Sequence, residues 1–258
     1  MELKNKKLKI ASLGSSFAAG PGIPPQVQPL GAGRSGRNYS HLLAQQLDAE
    51  LTDLTVSGST LLDITVNQRT DPLTGGIFPP QISNLPEDAD IITITAGGND
   101  INYIGALGAD ACAALGLEIP TPSTDIVPPS ELAGRLGGVL DNIHKRAPGA
   151  HVFLVEYLAV LGPGTRPGQD IPFDQERVEH HLAVASAMSR AYRDAAESRG
   201  EWCQRVPVND FSLGHALGSE EPWVGGFDGS DGPNLHPNLV GMKAVADLLF
   251  ETIKKVPR

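Results

Sequence analysis

The 258-residue chain is predicted to fold as an α/β protein around a mostly parallel sheet. Three observations predict this class. Short apolar, β-branched runs alternate with longer stretches of helical periodicity, the pattern of successive strand–helix–strand units. Two of those runs, IITITA at 91–96 and VFLVEY at 152–157, are apolar nearly throughout, as strands covered on both faces must be. No repeat, low-complexity segment or linker interrupts the alternation, so residues 1–258 are read as one domain.

The elements follow in order. Residues 8–13 (LKIASL) form the first expected strand, which ends at Gly14. A helix is expected over 38–47, whose leucines share one face. Residues 51–56 read as a second strand stopped by Ser57-Gly58, and the third and fourth strands are the runs at 91–96 and 152–157. A helix over 131–146 separates those two, and a long one over 174–199 precedes a short strand at 205–208. The last helix follows Pro237, with Met242, Ala244, Val245, Leu248 and Leu249 at helical spacing. Residues 66–88, 104–130, 161–173 and 211–235 are expected to be irregular, and loops of that length tend to carry function.

Composition excludes several classes. Hydrophobic residues make up 40% and charged residues 19%, ordinary for a globular protein with a sizeable core. The net charge of −10 argues against a nucleic-acid partner, which needs a basic stripe to neutralise phosphates, and against an anionic membrane surface. Lys4, Lys6, Lys7 and Lys9 read as a solvated lead-in to the first strand. No apolar run approaches the ~20 residues of a membrane-spanning helix. The opening Met1-Glu2-Leu3-Lys4 lacks the apolar core of a signal peptide, so the chain reads as cytoplasmic, although a trimmed secreted form would look the same. Cys112 and Cys203 make neither a metal site nor a disulfide framework; buried free thiols are expected, with one disulfide as the alternative.

In open parallel sheets ligands bind beyond the carboxyl ends of the strands, and the chemically competent residues gather there. The first strand runs into Gly14-Ser15-Ser16-Phe17-Ala18-Ala19-Gly20, the second into Val56-Ser57-Gly58-Ser59-Thr60, and the third into Ala96-Gly97-Gly98-Asn99-Asp100. The segment Asp231-Gly232-Pro233-Asn234-Leu235-His236-Pro237-Asn238 adds an imidazole. Acyl transfer needs this inventory. A serine hydroxyl is a weak nucleophile until a base takes its proton, and histidine suits that task near neutrality. The tetrahedral intermediate needs preorganised donors: Asn99 offers an amide N–H, Gly58 an unobstructed backbone N–H, and Ser16 its own N–H. Each piece alone has a blander reading, as a turn, an Asx cap or a helix start. Their joint occurrence, in this order and at these places, favours chemistry.

These segments resemble the sequence blocks of the SGNH (GDSL-like) hydrolase family. GSSFAAG is similar to the first block, usually Gly-Asp-Ser-x-x-x-Gly, with Ser16 at the nucleophile. VSG is similar to the second, with Gly58 at the oxyanion glycine, and GGND to the third, with Asn99 at the oxyanion asparagine. HPNLVGM resembles the last block, with His236 at the histidine. The resemblance covers residues 8–249 and implies a three-layer α/β/α sandwich with a five-stranded parallel sheet, flavodoxin-like in arrangement. It also implies ester hydrolysis of a small-molecule substrate without a metal or organic cofactor.

The chain departs from the family twice. Ser15 stands where aspartate is usual, and only Ser16 brings Phe17-Ala18-Ala19-Gly20 into alignment. The family's Asp-x-x-His has Pro233 at its first position, so Asp231, the nearest upstream carboxylate, is the preferred acid member, with Asp228 beyond it. A backbone carbonyl of Pro233 or Asn234 is the alternative. His180-His181 read as a solvated helix face rather than a metal pair, Glu156 as either a crevice-lining carboxylate or a structural hydrogen-bonding group, and Trp223 as either an acyl-pocket wall or a loop anchor. The expected mechanism is two-step acyl transfer, with Ser16 attacking and His236 shuttling the proton. A carbohydrate-directed deacetylase with the same residues is the near rival; a non-catalytic binding protein on the same fold is the distant one.

Overall fold

The computed structural model describes residues 7–117, 126–227, 229 and 232–256. The β-branched runs extend into five strands: β1 (Lys9–Gly14), β2 (Glu50–Asp53), β3 (Ile91–Thr95), β4 (His151–Val155) and β5 (Cys203–Val206). All neighbours pair in parallel, in the order β2-β1-β3-β4-β5. β3 is buried at every position, consistent with its unbroken apolar sequence.

The longer connections carry helices α1 (Tyr39–Gln46), α2 (Tyr103–Ala114), α3 (Pro129–Arg146), α4 (Gln175–Glu197) and α5 (Leu239–Ile253). α1 packs with α5, while α3 packs with α4, which also meets α2. Right-handed crossovers put the two groups on opposite faces of the sheet, giving three layers. α3 shows how burial selects the helical face: Leu132, Leu136, Val139, Leu140 and Ile143 are buried at helical spacing, and Glu131 opens the first turn while Lys145 and Arg146 close the last. The strand order reverses between β1 and β3, which opens a crevice at their carboxyl ends.

Three expected irregular stretches hold regular structure. The largest correction is α2, inside 104–130. Gly105 and Gly108 lower its helical propensity, and apolar residues surround it, which hides the buried line of Tyr103, Leu107 and Ala111. Residues 66–88 contain a small hairpin, Arg69–Thr70 with Ile77–Phe78, and a 3₁₀ turn at Gln81–Asn84. A short helix, Val208–Ser212, runs into the stretch 211–235. Cys112 and Cys203 are both free thiols, and burial pushes that of Cys203 up to about 12. Among the described residues no helix is long and apolar enough to cross a membrane.

Candidate active site

β1 delivers the serine. Gly14 ends the strand with φ of 140°, and a Cβ there would sit 2.3 Å from the Thr95 carbonyl oxygen, so only glycine lets β1 and β3 approach this closely. The Gln81 side chain holds both backbone polar groups of Gly14, accepting from its N–H at 2.8 Å and donating to its carbonyl at 2.9 Å. The chain then turns into a single helical turn, Ser16–Ala19, closed by left-handed Gly20. Ser16 thereby stands at the start of that turn, 9% exposed.

His236 reaches it from the opposite end of the sequence. His236 N–H donates to the Pro233 carbonyl at 3.1 Å, closing a turn in which Leu235 adopts φ of 55° while 2% exposed. That conformation is strained for a branched-chain residue, and the surrounding contacts hold it. Gly225 N–H donates to the His236 carbonyl and Asn238 N–H to that of Trp223, pinning the segment against residues 223–225. Asn238 then caps α5, its side chain accepting from Gly241 N–H at 2.9 Å. As a result His236 Nε2 lies 2.9 Å from Ser16 Oγ, and Nδ1 lies 2.8 Å from the Asn234 carbonyl oxygen. Burial lowers the His236 pKa below the ordinary histidine value, partly offset by the Asn234 hydrogen bond. Asp231 and Asp228 lie outside the described residues.

The other two blocks follow β2 and β3, the strands that flank β1, and they meet each other. Gly58 has φ of 80°, and its carbonyl accepts from Arg69 Nη1 at 2.8 Å; the same guanidinium nitrogen lies 3.0 Å from Asp63. Thr60 and Asp63 form a capping box on the short helix Leu61–Thr65, so Gly58 sits on a braced turn. Asn99 Nδ2 donates to the Ser59 carbonyl at 2.8 Å, which joins the third block to the second and uses one of two amide hydrogens. Asp100, 1% exposed, accepts from Leu61 N–H at 2.9 Å and has Arg135 at 3.7 Å; burial pushes its carboxyl up to about 6. A hydroxyl hydrogen-bonded to an imidazole can pass it a proton, which is what a serine nucleophile requires.

The remaining candidates have structural surroundings. His181 is not solvated as expected: it is 2% exposed and its Nε2 pairs with Asp110 at 2.9 Å. Glu156 is buried among Arg205, Ser189 and Asn209 N–H. Trp223 stacks on His215 with ring centroids 3.8 Å apart and anchors its loop. Among the described residues no group of three His, Cys, Asp or Glu side chains is placed to hold a metal ion. Sequence reasoning missed Gln81, Arg69 and Tyr157; only Tyr157 left a signal, as a polar aromatic at the carboxyl end of a buried strand.

The chain is similar to known proteins over nearly its whole length. A model of the GDSL-like lipase/acylhydrolase family matches residues 12–244. Lipase 2 of Streptomyces coelicolor is 30% identical over 268 residues, an alignment covering 95% of this chain and 86% of that protein. The extracellular lipase of Streptomyces rimosus superposes with a TM-score of 0.68 at 21% identity, over 95% of this chain and 99% of that one. Phospholipase A1 of Streptomyces albidoflavus superposes at 0.74 with 15% identity, over 96% and 100% of the two chains. The two structures share its fold. With its five-stranded parallel sheet and its match over nearly the whole length, the chain belongs to the GDSL-like lipase/acylhydrolase family and is a serine ester hydrolase of that type.

Proposed function

We propose that the chain hydrolyses acyl esters by two-step acyl transfer, with Ser16 as nucleophile, His236 as general base and acid, and Gly58, Asn99 and the Ser16 N–H as oxyanion donors. The observation that carries this reading is the 2.9 Å contact between Ser16 Oγ and His236 Nε2 at the carboxyl end of β1. Ser16 attacks the ester carbonyl as His236 takes its proton; the imidazolium then protonates the leaving alkoxide and activates water for deacylation. The name of its 30%-identical relative, a lipase, favours acyl esters of lipid alcohols over acetylated sugars. A chain-length series of acyl esters run beside acetylated sugars, with Ser16→Ala as control, tests both parts. Turnover confined to the sugars would move the assignment to a carbohydrate deacetylase.

The partner of His236 Nδ1 is proposed to be the Asn234 carbonyl rather than Asp231. A ring N–H makes one strong hydrogen bond, and the carbonyl already stands at 2.8 Å, fixing the tautomer that leaves Nε2 free to accept. Asp231→Asn should therefore keep kcat within a few-fold of the parent. A loss of about 10²-fold or more, approaching the ~10⁴ of a triad aspartate replaced by asparagine, would restore the carboxylate to that role.

The pH dependence follows from the same geometry. Because burial lowers the His236 pKa, the proton-accepting form persists to lower pH than for a free imidazole. The acid limb of kcat/KM should fall through one ionisation below about 6.5, the reference histidine value. Activity that stays level down to about pH 4 would exclude imidazole as the base.

A further inference from the structure

We propose that Tyr157 is a positioning residue that sets the oxyanion turn against the nucleophile turn, an inference that rests on the roles proposed for Ser16 and Asn99. Its phenol oxygen accepts from Gly98 N–H at 3.1 Å and shares a hydrogen bond of 2.9 Å with Ser15 Oγ. Gly98 immediately precedes Asn99, and Ser15 immediately precedes Ser16. One atom thus ties the residue before the nucleophile to the residue before the oxyanion amide. Serine replaces the usual aspartate at position 15, and the Tyr157 phenol is the group its hydroxyl meets.

The surroundings leave this link little freedom. Ser15 is fully buried at 0% exposure and Tyr157 is 2% exposed. The Tyr157 ring packs on Phe17, centroids 4.4 Å apart, and meets Tyr103 and Tyr192 edge-on. A Cβ on Gly98 would fall 2.8 Å from ring carbons and hydroxyl of Tyr157, so the 97–99 turn rests directly on the phenol. Phe17 also packs against His236, centroids 5.4 Å apart, which brings the ring stack up to the base.

Two other buried tyrosines brace the end of β3 through hydrogen bonds to residues other than Ser15 and Gly98. Tyr39 bonds Thr95 Oγ1 at 3.0 Å, and Tyr192 bonds both backbone groups of Ala96. Tyr157 reaches across to the serine turn. Burial pushes its phenol up to about 12, so it stays protonated, and able to donate as well as accept, throughout the working pH range.

Tyr157→Phe would leave Gly98 N–H and Ser15 Oγ buried without their partner, and buried polar groups move to find another. Displacement of the turn by about 1 Å is enough to cost up to ~10²-fold in rate. The expected result is a kcat lowered about 10- to 100-fold, with KM within about two-fold of the parent. Affinity for an alkyl boronic acid, whose serine adduct mimics the tetrahedral intermediate, should fall by a similar factor. Ser15→Ala cuts the same link from its other end, so it should behave alike, and the double variant should be little worse than either single one. Tyr39→Phe serves as the stability control, losing thermal stability while keeping kcat.

Parent-like kcat in Tyr157→Phe, boronate affinity unchanged despite lower kcat, or fully additive losses with Ser15→Ala would overturn the proposal. If Tyr157→Phe does not fold, kcat and boronate affinity of Ser15→Ala decide the matter by the same criteria. Failure of the underlying reading would show differently, as Ser16→Ala retaining activity in the parent background.

Discussion

Ser16→Ala should reduce turnover of an acyl ester by about 10⁴-fold or more, the scale set by nucleophile removal in other serine hydrolases. The magnitude follows from what the variant lacks: no acyl-enzyme can form, and the imidazole at 2.9 Å loses the proton it would accept. Residual rate would come from water attack assisted by the oxyanion donors. Folding should be nearly unaffected, since among the described residues the hydroxyl's hydrogen bond is to His236, and alanine favours the helical turn it starts. Ser15→Ala is the informative neighbour. Its hydroxyl faces Tyr157 in the interior and cannot reach substrate, so its loss should be smaller by at least about two orders of magnitude. Steady-state kinetics on both variants checks the pair, and a reversal would shift the nucleophile to Ser15.

Asn99→Ala should lower kcat by roughly 10²- to 10³-fold while KM changes little, the usual consequence of removing one oxyanion donor. The amide is held by the Ser59 carbonyl at 2.8 Å, so its orientation is preset before substrate arrives, and in the proposed role that preorganisation would stabilise the transition state. Gly58 and the Ser16 N–H are backbone donors and survive the substitution, which is why the loss should stop short of the Ser16→Ala level. A variant with full kcat would reduce Asn99 to a residue that merely ties its turn to the second block.

Much of the fold was legible because the signal was local. The runs at 91–96 and 152–157 could hardly be anything but buried parallel strands, and the expected strand limits differ from those observed by at most three residues. α2 escaped because Gly105 and Gly108 interrupt a segment that is apolar on nearly every side, so no stripe stands out. Within the site, the order of the motifs along a parallel sheet brings the ends of β1, β2 and β3 together whatever the details. The groups that hold those ends in register were not legible. Gln81 grips Gly14 from 67 residues away and Tyr157 reaches Ser15 across 142, and such contacts are set by topology, which leaves no periodic trace in the chain. The Asn234 carbonyl is a backbone group made available by a left-handed Leu235, a conformation that a leucine gives no reason to expect.

The most direct measurement is covalent labelling with a fluorophosphonate, followed by mass spectrometry of the digested protein. An activated serine attacks the phosphorus and keeps the adduct, whereas an ordinary hydroxyl does not. One adduct per chain is expected, carried on Ser16, with loss of esterase activity in step with labelling and no adduct in Ser16→Ala or after acid denaturation. An unlabelled native protein, or an adduct on Ser15 or elsewhere with Ser16 untouched, would contradict it.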